Sequence, residues 1–272
     1  PRTKLPVGDL QDVVPTVEQP VRVRARSLPA DAHIEPHVHP WAQVAYCDRG
    51  VIQVHVQGVA GADETPRARS YILPPSRAVY IAPGVQHAVS AIETTTLRAI
   101  YIDASVALRD RGISAALRVT PLLKELIVAL DQGESLDDRA RHGHLRALVL
   151  DELRRSPHEP VGLPMPSPGA GDKRLRALCD ALLASPADRR PLAAWATRVG
   201  ASERTLARLF RDELGTSFHR WRRQLAIAHA LPLLARGTSV GAVAQACGYR
   251  SESAFAAMFR STMGSSPGRF LL

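Results

Sequence analysis

The sequence predicts an α+β protein of two domains, an N-terminal β-barrel with flanking helices and a C-terminal all-α domain holding two helix-turn-helix units. Three observations predict it. Short β-branched runs broken by Gly and Pro fill Val21 to Tyr101, helical spacing takes over after Asp103, and one helical segment is written twice in the last hundred residues.

The strands come first. Val51 to Gln57 alternates, with Ile52, Val54 and Val56 on one face and Gln53, His55 and Gln57 on the other, so His55 is expected in solvent. Several such runs between turns read as an antiparallel barrel or sandwich over about residues 20–103, and Gly58 to Pro66 reads as a loop within it. Pro121 to Leu130 and His144 to Leu153 then carry apolar residues at helical spacing, packing on the barrel or on a partner. Residues 1–155 thus form the first domain. Five prolines and three glycines between Ser156 and Gly171 exclude a helix and mark 156–171 as a linker, and 172–272 follows as a helical domain punctuated by Gly200, Gly215, Gly237, Gly248 and Gly264.

Residues 201–217 align without gaps on 250–266, matching Ser202 with Ser251, Glu203 with Glu252, Phe210 with Phe259, Arg211 with Arg260 and Gly215 with Gly264. In the first copy Pro191 opens a helix, Gly200 supplies a tight turn and Ser202 caps the next helix. There Leu206, Leu209 and Phe210 share the buried face, while Arg204, Arg208 and Arg211 form a basic stripe. The second copy turns at Gly248 and buries Phe255, Met258 and Phe259, leaving Arg250, Ser253, Ala254 and Ala257 outward. Charge follows the repeat. Residues 1–170 hold 19 Lys/Arg and 19 Asp/Glu, whereas 171–272 hold 16 against seven, so the whole net charge of +9 sits in the repeat-bearing part. A neutral domain joined to a basic one fits a sensor attached to a polyanion-binding module.

Residues from about Arg174 to Leu272 resemble the DNA-binding domain of the AraC/XylS family of bacterial transcription regulators. The match rests on Gly248-Tyr-Arg-Ser-Glu-Ser-Ala-Phe255, Phe259-Arg260 and Gly264-Ser-Ser-Pro267, at the spacing of the family signature. The resemblance implies two units bridged by a long helix, here about Phe218 to Ala235, entering major-groove segments ~34 Å apart. Carried over by position, the DNA-contacting set is Arg204, Thr205, Ala207, Arg208 and Arg211 in the first unit and Arg250, Ser251, Ser253 and Ala257 in the second. Arginine reads guanine through paired hydrogen bonds and alanine offers a thymine methyl only apolar contact, so the first unit is expected to carry most of the specificity. Pro232 departs from the pattern, and either kinks the bridging helix or ends it early.

The barrel carries a second resemblance. His37 and His39 with Gln43 and Gly50, followed by Pro83, Gly84 and His87, resemble the cupin motifs H-x-H-x3-E-x6-G and P-x-G-x-x-H, with Gln43 at the carboxylate position and Ala82 at the first proline. Many AraC-type regulators carry a cupin-like sensor, and a subgroup shares His39–Gln43 and Pro74–Ile81 of this chain. On one strand His37, His39, Trp41 and Gln43 would share a face. The set His37, His39, Gln43 and His87 either binds a divalent metal such as Zn, Fe or Mn or lines a polar pocket that takes an effector directly. Trp41 is a ligand-stacking or core aromatic, and Arg77 either clamps an anionic effector or forms a salt bridge at the rim. His33 near a turn, and His142 and His144 flanking a helix, have no identified partner.

No run approaches the ~20 apolar residues of a membrane helix, no signal-peptide core stands at the N-terminus, and Cys47, Cys179 and Cys247 lack metal-like spacing, which fits a reduced cytoplasm. The expectation is a cytoplasmic, non-enzymatic, sequence-specific regulator of double-stranded promoter DNA. It answers a small-molecule effector and has RNA polymerase as a further partner, and the family resemblance implies that it dimerises through the helices between 118 and 155. The rival is a cupin dioxygenase or isomerase fused to a DNA-targeting module, which requires a metal with open positions.

Overall fold

Strands fill the N-terminal half and helices the C-terminal stretch in the computed structural model of the chain, which describes residues 3–58, 68–75, 77–131, 138–159, 162–166 and 171–270. The chain clusters into two units, residues 1–56 with 73–159 and residues 57–72 with 160–272.

In the first unit β1 (Thr3–Leu5), β3 (Ala32–His37), β8 (His87–Ala91) and β5 (Ile52–Val56) lie side by side in the order β1-β3-β8-β5. The second sheet runs β11 (His158–Glu159), β10 (Ser114–Arg118), β7 (Arg77–Ile81), β4 (Ala42–Cys47), β9 (Thr95–Ile102), β2 (Val21–Leu28). The arrangement is jelly-roll-like, antiparallel apart from the parallel β1/β3 pair. Helices α1 (Pro121–Asp131) and α2 (Arg139–Arg155) cover the outer face of the second sheet. Strand β4 is therefore buried on both faces. Ala42, Val44 and Tyr46 pack towards the helices, which leaves Gln43, Ala45 and Cys47 pointing into the barrel. Alternation holds in β5, where Ile52, Val54 and Val56 are buried as expected.

Several details differ from the sequence reading. His39 and Trp41 lie in the connection between β3 and β4, because the strand stops at His37 and Pro40 sits in the turn. His55 is half-buried rather than solvent-exposed, and burial lowers its pKa. Helix α2 starts at Arg139, so His142 and His144 lie inside it, and the buried His142 Nδ1 is 3.1 Å from the Asp138 carbonyl. Strands β1 and β10 carried no clear alternation and were not anticipated. The stretch 156–171 is not featureless. It holds β11, paired with β10, and β12 (Gly162–Met165), paired with β6 (Ala68–Leu73), since its prolines exclude helix but not short edge pairing. The expected loop from Gly58 to Pro66 lies outside the described residues beyond Gly58.

The second unit joins β6 and β12 to the helices α3 (Lys173–Ala184), α4 (Leu192–Val199), α5 (Glu203–Asp212), α6 (Phe218–Ala235), α7 (Val240–Ala246), α8 (Glu252–Met263) and α9 (Pro267–Phe270). Asp172, Ser202, Ser217, Ser239 and Ser251 each cap a helix by accepting a backbone N–H. Leu163, Leu178, Trp195, Phe210 and Trp221 belong to one core, and the Trp221 indole donates to the Pro164 carbonyl at 2.7 Å. Helix α6 runs through the buried Pro232 to Ala235, so the proline does not end it.

Candidate effector pocket and nucleic-acid interface

Three imidazoles from two strands and a turn converge inside the barrel. His37 ends β3 and His87 opens β8 directly opposite it. The β3–β4 turn brings in His39, and Gln43 reaches inward from the facing sheet. The ligand-capable nitrogens of His37, His39 and His87 lie within 4.8 Å of one another. Each Nδ1 is close to a backbone carbonyl, His37 to Glu35 at 2.9 Å, His39 to Trp41 at 2.7 Å and His87 to Val85 at 2.9 Å. A carbonyl only accepts, so each Nδ1 carries the proton and donates, and each Nε2 presents a lone pair. His39 Nε2 and His87 Nε2 lie 2.9 and 3.1 Å from Gln43 Oε1. Burial pushes the His87 pKa down to about 3; His37 and His39 add to the fall and the Val85 carbonyl opposes it. Burial also lowers His37.

His37 and Gln43 face a small cavity of about 30 Å³ that Ile34, Arg24, Arg26 and Tyr101 also line. Its size suits an ion or one or two waters rather than a large ligand. Arg22, Arg24 and Arg26 alternate along β2 and donate to carbonyls of the N-terminal segment. Arg22 reaches Asp12 at 2.6 Å and Arg26 reaches Pro6 at 2.7 Å, while Arg24 bonds Asp9. The sequence reading missed these arginines and Tyr101, although Val-Arg-Val-Arg-Ala-Arg from Val21 to Arg26 places three cations on one strand face.

Trp41 stacks on His39, rings 5.0 Å apart and nearly parallel, and its indole Nε1 is buried without an acceptor among the described residues. Arg77 does not join the cluster. It is buried at 1% exposure, and it lies four residues along β7 from Ile81, the residue opposite Gln43, which is ~13 Å away along the strand. His33 Nδ1 lies 2.9 Å from the Ser90 hydroxyl, a partner that the sequence did not reveal.

In the second unit Gly200 closes α4 in the left-handed conformation at φ 69°, and Ser202 accepts the Thr205 N–H at the start of α5. Arg204, Arg208 and Arg211 are exposed on α5, with Thr205 and Ala207 half-buried beside them. Arg208 Nη1 meets Asp212 one turn on at 3.2 Å. Gly248 has φ 75°, Ser251 accepts the Ala254 N–H, and Arg250, Ser251, Ser253 and Ala257 are exposed at α8. Both recognition-type helices thus carry an apolar buried face and an open face, arginine-rich in α5 and small in α8.

Comparison with known proteins matches this division. An AraC-like ligand binding domain model matches residues 19–149 and a helix-turn-helix domain model matches residues 195–272. The HTH-type transcriptional regulator NimR of Escherichia coli (strain K12) is 32% identical over 252 residues, covering 87% of this chain and 90% of NimR. The chain belongs to the AraC family of transcriptional regulators. A further family relative, the HTH-type transcriptional regulator RipA of Corynebacterium glutamicum, is 35% identical over 107 residues, 39% of this chain and 31% of RipA. Among solved structures, ToxT from Vibrio cholerae is 11% identical with a TM-score of 0.37, covering 93% of this chain and 98% of ToxT. Within the AraC family frame the ligand-binding match spans β2 to α2 and includes the three histidines, and the helix-turn-helix match takes in α5 to α9. Among the described residues no helix is long and apolar enough to cross a membrane.

Proposed function

We propose that this AraC-family chain is a cytoplasmic regulator in which residues 1–155 sense an effector and dimerise, 156–171 connect, and 172–272 bind double-stranded promoter DNA. One observation carries the reading, the pair of capped helix-turn-helix units with open faces on α5 and α8. Arg204, Thr205, Ala207, Arg208 and Arg211 read one major-groove segment, and Arg250, Ser251, Ser253 and Ala257 engage the next. Leu122 on α1 and Leu148 on α2 are about half exposed, which supports these helices as the contact between two copies. RNA polymerase is the partner through which such a regulator acts.

The effector site is the cluster of His37, His39, Trp41, Gln43 and His87, with Arg77 buried farther along β7. The donor set fits a divalent metal, because three Nε2 lone pairs converge and each ring is oriented by a carbonyl. His37, His39 and His87 would hold Zn, Fe or Mn, with Gln43 as a neutral fourth group. Such an ion would act as the signal or as the anchor for a small effector. Gln43 brings no charge, so the site binds metal more weakly than one with a carboxylate there.

The test uses the full-length protein, with anisotropy on the promoter of its own gene and on random duplex, before and after chelator treatment and zinc addition. Salt-sensitive binding that favours the promoter, and changes with zinc, is expected. Equal affinity for both duplexes at every salt concentration would refute the regulator reading, and indifference to zinc would refute the metal.

A further inference from the structure

The second unit contains a recess that neither recognition helix accounts for. It has a volume of about 470 Å³ and is lined by Arg189, His219, Arg222, Arg223 and Tyr249, with Phe218 and Met258 as apolar wall. Four segments build it, the turn before α4, the first turns of α6, the turn between α7 and α8, and α8 itself through Met258. Gly248 lets the third approach the first. A Cβ there would lie 2.3 Å from the Ala187 carbonyl oxygen. Arg189 then lies over the Tyr249 ring, its guanidinium carbon 3.9 Å from the centroid.

Arg222 is the unusual member. It is only 7% exposed, and its Nη1 meets no acceptor among the described residues. Burial lowers its pKa, the charge of Arg189 lowers it further, and Asp188 and Tyr249 oppose the fall. Among the described residues Asp188 makes no hydrogen bond to the guanidinium; its carboxylate instead accepts from Arg190 Nε at 3.1 Å and 2.9 Å. A buried cationic nitrogen without an acceptor is costly unless an anion meets it. The recess also falls within the ~300–1,000 Å³ of small-molecule sites. His219 and Arg223 are exposed at its rim whereas Arg222 is buried, so a phosphate held at the surface would meet the rim cations before Arg222.

We propose that this recess binds a small organic anion, a carboxylate or phosphate ester on an apolar body. Its negative oxygens pair with Arg222, and Arg189 and Arg223 close around it. The apolar body lies against Phe218, Tyr249 and Met258. Because the recess joins α6 to the turn that precedes α8, the ligand ties the second helix-turn-helix unit to the bridging helix. It is a ligand site within the DNA-binding unit, separate from the histidine cluster.

The test is thermal unfolding and calorimetric titration of the full-length protein with sodium benzoate and phenyl phosphate, against sodium chloride at equal ionic strength. Saturable binding with a rise in midpoint is expected for the wild type. Arg222→Gln should weaken it about tenfold or more, and the exposed Arg189→Gln should weaken it less while keeping the native circular dichroism. The Arg189→Gln result stands even where Arg222→Gln fails to fold. No saturable response in the wild type, or an unchanged response in Arg189→Gln and a folded Arg222→Gln, would overturn the proposal. So would a lower salt slope for random duplex in Arg222→Gln without any response to the two probes, which would make the anion a DNA phosphate.

Discussion

His39 Nε2 lies 2.9 Å from the side-chain amide of Gln43. Since His39 spends its ring proton on the Trp41 carbonyl, Nε2 needs a donor, and so does His87 Nε2. An amide NH2 has two hydrogens and satisfies both rings at once. Gln43 Oε1 stands at that point. Two lone pairs cannot both face an oxygen, so with neutral rings the amide is turned over and its NH2 donates to both. The Oε1 orientation is the one that would face an ion.

Gln43→Glu changes that balance. A carboxylate adds charge and ligand strength, so the variant should bind zinc about tenfold tighter or more than the wild type. Competition with a chromophoric chelator measures it. A variant no better than the wild type would mean that the three histidines do not form a metal site.

Acid should weaken the metal-free barrel through His87. Its pKa in the folded protein, about 3, lies below the ordinary value of 6.5, so the unfolded chain takes up the proton first. The contribution to stability is present above about pH 6.5 and is lost as pH falls towards the folded value. His37, also lowered, acts with the same sign. Between pH 7 and pH 4 the His87 share of the loss is on the order of 3 kcal/mol. Denaturant unfolding of wild type and His87→Gln at both pH values measures it, and equal losses in the two proteins would contradict it.

Local periodicity made much of this molecule legible. The buried face of β5, the Ser202 and Ser251 caps and the span of α6 follow from spacing and cap chemistry read within a few residues. The convergence of His37 and His87 was readable from motif spacing, whereas the route of His39 was not, because Pro40 replaces a continuous strand by a turn. Strand β12 escaped notice because its pairing with β6 and the Trp221 bond to Pro164 join residues far apart in sequence. The Arg22, Arg24 and Arg26 stripe was written in β2, but its partners are carbonyls of an irregular segment without any pattern. Arg222 reads as one more cation of a basic helix until its burial is known.

Gly248→Ala should destabilise the helical unit. The glycine sits at φ 75°, which an L side chain rarely adopts, and a Cβ would press on the Ala187 backbone, which cannot swing aside. Strain and clash together should cost about 2–4 kcal/mol. A lowered thermal midpoint is expected, together with weaker binding of the anionic probes. An unchanged midpoint would show that the turn and the 187–189 segment separate freely.

Arg208→Gln should expose the division of labour between the two units. Arg208 is exposed on the open face of α5, and among the described residues a single 3.2 Å contact to Asp212 competes with DNA for it, on a surface where such pairs contribute little. Its loss should cost about 1–3 kcal/mol on the operator and much less on random duplex, with specificity relaxed at one base pair. Ser253→Ala on α8 removes one short hydroxyl from a face where Arg250 and Ser251 remain beside Ala254 and Ala257, so its effect on operator affinity should be smaller. Anisotropy on operator and random duplex, with single-base operator variants, separates the two outcomes. Equal losses on both duplexes for Arg208→Gln would make Arg208 a phosphate contact, and a larger specific loss for Ser253→Ala would move base reading to the second unit.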